Sequence, residues 1–161
     1  MTLMKKVITL IVLFIGVSTV SFAWEITPDG VDSIVLGKPI PSTVMEGEKA
    51  PYDKVAADYL PLKGFFFKNP PIIVARKGAK VSHMIIEDQN VMTKEGIGVG
   101  TTLKKLNRTY QNVVFHAVPP TFGDDEAVAV ARDMPNVKFY FKDVKSARAG
   151  GKVVRIMIFK E

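Results

Sequence analysis

Between Phe65 and Phe159 the apolar residues come in short runs closed by turn-forming residues, and this spacing limits the fold more than any other feature of the chain. Runs of this length are typical of strands and are too short for most helices. Val137-Lys-Phe-Tyr-Phe141 alternates strictly, and the turn at 133–136 separates it from the apolar residues 127–131. The two segments predict a β-hairpin.

The other segments predict more strands and few helices. Leu103, Leu106 and Tyr110 share one helical face, so the spacing predicts a helix over 101–110 with Thr101 as its N-cap. A shorter helix is predicted over 51–59, and 145–151 reads as a flexible turn. The predicted fold class is α+β, with a mostly antiparallel β-sheet and one or two short helices packed on one face. Further strands are predicted at 24–27, 34–36, 65–67, 71–75, 81–86, 91–93, 112–118 and 153–159.

Residues 1–23 have the layout of a secretory signal peptide. Lys5 and Lys6 precede an apolar run from Val7 to Val17, and Ser21-Phe22-Ala23 matches a small-x-small cleavage pattern. The run is shorter than the roughly 20 residues that a membrane span requires. We therefore expect cleavage near Ala23-Trp24, a single α+β domain over 24–161, and no membrane span after cleavage.

The chain contains no cysteine. This composition excludes disulfides, thiolate metal sites and cysteine nucleophiles. An exported protein without pairable cysteines fits a bacterial periplasm better than a eukaryotic secretory route. The sequence predicts a periplasmic or secreted bacterial protein.

Two stretches of the chain echo each other. Residues 27–31 and 93–97 both read Thr-x-acid-Gly-aliphatic, and each precedes an aliphatic-Gly pair, Leu36-Gly37 and Val99-Gly100. One interpretation is a pair of similar half-units that descend from a duplication. The other is that the same turn chemistry is used twice.

The second stretch, Gly96-Ile-Gly-Val-Gly-Thr101 followed by a helix, resembles the sigma-E-regulated lipoproteins of bacterial envelopes, a family of uncharacterised function. Those lipoproteins carry a cysteine after the leader, so the resemblance implies a soluble or peripherally held relative. A weaker resemblance is to β-lactamase inhibitory proteins and outer-membrane assembly lipoproteins, some of which are tandem repeats. The counterparts of the lipoprotein pattern are 29–31, 58–59, 81–86 with 93–101, 127–141 and 153–159.

The residues that could carry catalysis are few. His83 and His116 are the only imidazoles, and each lies in a predicted strand, where a lone histidine is usually structural or solvated. Ser82 points to the opposite sheet face from His83 and lacks a G-x-S-x-G context. The acidic residues 124–126 match no metal-binding spacing. We predict no catalytic residue, no metal and no cofactor.

The basic residues suggest binding instead. Between 137 and 161 seven bases accompany two acids, and the predicted contacts are Lys138, Lys142, Lys152 and Arg155, with Phe122 in a neighbouring apolar loop. These bases could also protect strand edges against aggregation. A second predicted anion site lies at the start of the 101–110 helix. Its residues are Thr101, Thr102, Lys104 and Lys105.

The sequence therefore predicts an exported, non-enzymatic protein that binds a protein or an anionic envelope component. Nucleic acid is not an expected partner. An inhibitor-like protein that caps a hydrolase, a small hydrolase that uses His83 or His116, and a structural accessory of a larger assembly remain alternatives.

Overall fold

The computed structural model describes residues 24–42, 63–118 and 126–160. The leader, the helix predicted at 51–59 and Phe122 lie outside these residues. The described residues form two sheets and two short helices. The small sheet has the order β3-β2-β1-β7 and contains β1 (Trp24–Thr27), β2 (Gly30–Val31), β3 (Ile34–Val35) and β7 (Val91–Thr93).

The large sheet has seven strands in the order β4-β5-β6-β11-β10-β9-β8. All of its pairings are antiparallel, and the parallel pairing in the described residues joins β1 to β7. The α+β prediction with a mostly antiparallel sheet is confirmed. The strands are β4 (Lys63–Phe66), β5 (Ile73–Lys77), β6 (Lys80–Ile86), β8 (Val113–Val118), β9 (Glu126–Ala131), β10 (Val137–Phe141) and β11 (Arg155–Phe159).

The main core lies on one face of the large sheet, here called the inner face. Phe139 and Ile156 are fully buried there, and α1 (Leu103–Thr109) contributes Leu106 to the same cluster. The ring of Tyr110, which caps this helix, lies 6.5 Å from that of Phe139, centroid to centroid. The predicted packing of a short helix on one face of the sheet is confirmed. Neither helix of the described residues has the length and apolar character that a membrane span requires.

Two local predictions are wrong. The N-cap of α1 is Thr102, whose hydroxyl accepts the N–H of Lys105, whereas the Thr101 hydroxyl accepts the N–H of Gly98. The predicted flexible turn at 145–151 contains a second helix, α2 (Val144–Arg148). Asp143 caps it by accepting the N–H of Ser146 at 2.6 Å, and a short helix with a side-chain cap and a buried face is stable in this context.

The sequence echo corresponds to a repeated set of backbone contacts. The N–H of Gly37 donates to the carbonyl of Val81, and the N–H of Val81 donates to Lys38. In the second half the N–H of Gly100 donates to Val153, and the N–H of Val153 donates to Thr101. Both glycines have positive φ, 73° and 92°, so each aliphatic-Gly pair makes the same kind of corner, the first against Val81 in β6 and the second against Val153, two residues before β11.

The strands follow this repetition. β4-β5-β6 and β9-β10-β11 are each three antiparallel strands in chain order, and β6 joins β11 at the middle of the large sheet. The Thr-x-acid-Gly turns differ, since Gly96 has a positive φ and Gly30 lies in a strand. The contacts therefore favour two similar half-units over a chance reuse of turn residues.

Candidate functional site

A groove between the two helices carries several basic side chains. It has a volume of about 600 Å³. Leu103 and Leu106 attach α1 to the core, so Lys104 and Arg108, four residues apart, project together from the helix surface. The C-terminal end of α2 supplies Arg148 across the groove. The lining residues are Leu103, Lys104, Asn107, Arg108, Ala147, Arg148, Ala149 and Gly150.

The charge of this groove is not balanced. Its lining includes three bases and no acid. Among the described residues, Arg155 pairs with Glu126 and Lys160 pairs with Asp29, and neither ion pair involves a groove residue. Exposed cations of one sign that converge on a concave surface attract anions.

Lys152 connects the two predicted basic regions. It forms an isolated antiparallel bridge with Thr102, which caps α1. The basic C-terminal segment thus reaches the start of the same helix that lines the groove. The sequence predicts these two regions as separate sites, and the structure brings part of each together.

Three residues of the predicted helix-start site have structural contacts of their own. Thr101 and Thr102 accept backbone N–H groups, as described above. The ammonium group of Lys105 donates to the carbonyl of Gly96 at 2.9 Å and so holds the turn that precedes the helix. Lys104 is the member of the set that lines the groove.

The other predicted binding residues lie elsewhere. Lys138 and Arg155 belong to the opposite, outer face of the large sheet, where the Lys138 ammonium lies 4.0 Å from the centroid of the Phe159 ring. Arg155 donates to both carboxylate oxygens of Glu126 at 2.8 Å. Lys142 is exposed just beyond the end of β10. The four predicted bases are therefore distributed over several parts of the surface.

The two histidines are far apart. His83 lies on β6 and His116 on β8, with three strands between them, which corresponds to about 19 Å at the usual strand spacing. Burial lowers the pKa of His83, whose ring stacks on Phe159 at 5.2 Å. The Ser82 hydroxyl donates to the carbonyl of Ala75. His83 and Ser82 therefore each have a structural contact, and His116 lies too far from His83 to act together with it.

No group of three or more metal-ligating side chains occurs in residues 24–42, 63–118 and 126–160. The acidic residues Asp124 and Asp125 lie outside these ranges. Glu126 is engaged by Arg155.

A polar network that was not predicted lies at the end of α1, where the hydroxyls of Tyr110 and Thr93 are buried and the Glu95 carboxylate is exposed. The Tyr110 hydroxyl is 2.9 Å from Thr93 Oγ1 and 3.0 Å from Glu95 Oε2. Burial is the main cause that raises the pKa of Tyr110 to about 12. Burial acts against ionisation of Glu95, but hydrogen bonds from its own backbone, Tyr110 and Thr93 lower the pKa of this carboxyl below its usual value.

The comparisons with known proteins identify a fold relative. The chain is similar to the crystal structure of the uncharacterised protein yfeY from Escherichia coli, with a TM-score of 0.56 and 12% sequence identity. The match covers 84% of this chain and 99% of that one. No protein-family model matches the chain. No curated protein matches it either.

Proposed function

We propose that the chain is an exported protein of the bacterial periplasm that binds an anionic component of the cell envelope in the groove between α1 and α2, without catalysing a reaction. The observation that carries the proposal is the convergence of Lys104, Arg108 and Arg148 on one concave surface without an acidic partner among the described residues. Phosphate and carboxylate groups are suitable ligands for such a surface.

The shape of the groove supports a polymeric or surface-bound partner. Its walls are two short helices with exposed bases, and the apolar part of its lining consists of Leu103 and small residues. A small-molecule pocket is usually enclosed and mostly apolar. An open basic groove instead fits anionic groups that are presented by a larger body.

A binding role also agrees with the positions of the nucleophile and base candidates. The hydroxyl of Ser82, the serine next to His83, donates to the carbonyl of Ala75, and a nucleophile requires its base within hydrogen-bond distance. The hydrolase alternative therefore has less support than the binding proposal.

Vesicle co-sedimentation tests the groove directly. Vesicles that contain phosphatidylglycerol should retain the protein at low salt and release it by about 0.5 M salt, because exposed charges are screened over short distances there. Each base near an anionic membrane contributes about 1 kcal/mol, so the triple variant K104E/R108E/R148E should bind at least about a hundredfold more weakly.

A matched control separates the groove from net charge. The variant K77E/K80E/K94E reverses three exposed bases outside the groove and changes the net charge equally. It should retain most of the binding. Equal losses of vesicle binding in both variants would contradict a groove-specific site. If the protein binds no vesicles but captures an acidic periplasmic protein in a salt-sensitive way, the partner is a protein and not a lipid surface.

The export part of the proposal has its own test. N-terminal sequencing of the protein from a periplasmic fraction should begin at Trp24. A membrane-bound species that retains Met1 would contradict cleavage, whatever the outcome of the binding experiment.

A further inference from the structure

The edge of the large sheet formed by β8 lacks the features that usually prevent edge-to-edge pairing. Its six residues, Val-Val-Phe-His-Ala-Val, include no lysine, acid, proline or glycine. Val114 is 62% exposed, and Ala117 is exposed as well. Natural edges are usually short, charged or interrupted by proline. The opposite edge, β4, is four residues long and contains Lys63 and Gly64.

The orientation of the β8 backbone follows from the pairing of its neighbours. The N–H of Phe159 donates to the carbonyl of Asn136, one step beyond the Val137–Ile158 pair. Hydrogen-bonded and non-bonded pairs alternate along an antiparallel ladder, so Lys138 and Tyr140 direct their backbone groups towards β11. Their neighbours on β10 therefore direct theirs towards β9.

The same alternation fixes the next two strands. Phe139 faces Ala129 across the β9–β10 ladder, and Phe115 faces Ala129 across the β8–β9 ladder. Because Ala129 directs its N–H and C=O towards β10, it cannot direct them towards β8. The β8 residues that bond to β9 are Val114, His116 and Val118, and those whose backbone groups point away from the sheet are Val113, Phe115 and Ala117.

Within the described ranges, none of these outward N–H and C=O groups takes part in a hydrogen bond outside the β8–β9 ladder. We propose that they bind a second copy of this chain, so that two β8 strands pair antiparallel about a twofold axis and the two sheets become continuous.

Symmetry permits one register that uses every outward group. Residues that face each other across an antiparallel ladder lie on the same side of the sheet. If Phe115 faces Phe115 of the second copy, Val113 faces Ala117 in both directions, and the three bonded pairs form six hydrogen bonds. A register centred on His116 forms four, because its next bonded pair would need the N–H of Pro119, which proline lacks.

The side chains of this register are compatible on both faces. Phe115 packs edge-on against Phe141 at 5.9 Å, so a second Phe115 extends the inner core of each copy. On the outer side Val114 faces His116 of the other copy. Since β8 carries no fixed charge, the twofold axis brings no like charges together, which makes the edge complementary to itself.

Disulfide trapping tests the register, because the chain contains no cysteine of its own. Val114→Cys and His116→Cys place a thiol on an exposed position of the outer side. A mixture of the two purified single-cysteine proteins should form a disulfide-linked dimer at least tenfold faster than either protein alone, since only 114 and 116 face each other directly. Equal rates in the mixture and in the separate proteins would overturn this register.

Ala117→Pro tests the pairing itself. The N–H of Ala117 points away from β9, so proline should preserve the β8–β9 ladder while it removes a bond of the dimer. Sedimentation equilibrium should show a dimer for the wild type and for Ala117→Ser, and at least tenfold weaker association for Ala117→Pro. At a dilution at which all three are monomeric, their melting temperatures should be equal. A monomeric wild type at about 100 µM, or an Ala117→Pro variant that associates like the wild type, would overturn the proposal.

Discussion

Tyr110 and Thr93 join the end of α1 to the end of β7. The hydroxyl of Tyr110 lies 2.9 Å from Thr93 Oγ1, and the same oxygen of Thr93 accepts the N–H of Ile97. Thr93 is 1% exposed. The turn that leads to the helix and the residue that ends the helix therefore depend on one buried hydroxyl.

The Tyr110 hydroxyl should make stability sensitive to alkaline pH. In the unfolded chain a tyrosine ionises near pH 10, whereas its pKa here is raised to about 12. Between these values the unfolded state binds fewer protons than the folded state, so the free energy of unfolding falls as pH rises. Below pH 10, Tyr110→Phe should lower the free energy of unfolding by about 1 kcal/mol, because the hydrogen bond of the hydroxyl is lost.

Urea unfolding between pH 9 and pH 11 checks this expectation. The difference in stability between the wild type and Tyr110→Phe should narrow as pH rises, because the variant has no hydroxyl to ionise. Parallel curves over this range would show that ionisation of Tyr110 is not coupled to folding.

Leu106 should be a main stabilising contact of α1. It is fully buried against the inner face of the sheet. Leu106→Ala should reduce the free energy of unfolding by about 2–5 kcal/mol through lost burial and the cavity that remains. Val154→Ala removes methyl groups from a site that is 48% exposed and serves as the control, with a change under about 0.5 kcal/mol. Similar losses for both would show that the helix does not cap the core.

Asp143 should determine whether α2 forms. Its carboxylate accepts the N–H of Ser146, so Asp143→Ala should cost about 1 kcal/mol and Asp143→Asn less. Since α2 carries Arg148 at the groove, the alanine variant should also weaken anion binding. Thermal melts and vesicle binding with both variants measure the two effects. If the alanine variant is as stable as the wild type, contacts other than the Asp143 cap hold the start of α2.

Much of the fold was predictable because local patterns mark its elements. The alternation of 137–141 and the spacing of Leu103 and Leu106 are visible in the chain, and both elements are present, although the helix begins at Leu103 with Thr102 as its N-cap. α2 was missed because its five residues are followed by Gly150 and Gly151, which read as a turn. The burial of Ala147 that supports this helix appears only in the folded chain.

The groove was only partly predictable for a similar reason. Lys104 was a candidate because it follows a helix start, but Arg108 and Arg148 are forty residues apart in the chain. Their convergence depends on the packing of two helices on one sheet, and no local pattern encodes that packing. The parallel pairing of β1 with β7 was not predicted for the same reason, because it joins residues from different halves of the chain.

Gly37 and Gly100 test the equivalence of the two half-units. Both have positive φ, and a Cβ at either position would meet no atom within 4 Å. Substitution by alanine should therefore cost only the conformational strain of about 1–2 kcal/mol at each site, and the two losses should be similar. Asparagine tolerates this backbone region better and should restore part of the stability at both positions.

Gly98→Ala is the contrasting variant. Its Cβ would lie 2.7 Å from Met92 Cγ and 2.9 Å from the carbonyl oxygen of Val91, so it should cost more than Gly100→Ala, and asparagine should not restore it. Urea melts of the six variants, alanine and asparagine at each of the three glycines, compare these values directly. A large loss at Gly100 with none at Gly37 would mean that the two corners share hydrogen bonds without sharing a structural role, and the half-units would then be similar only in outline.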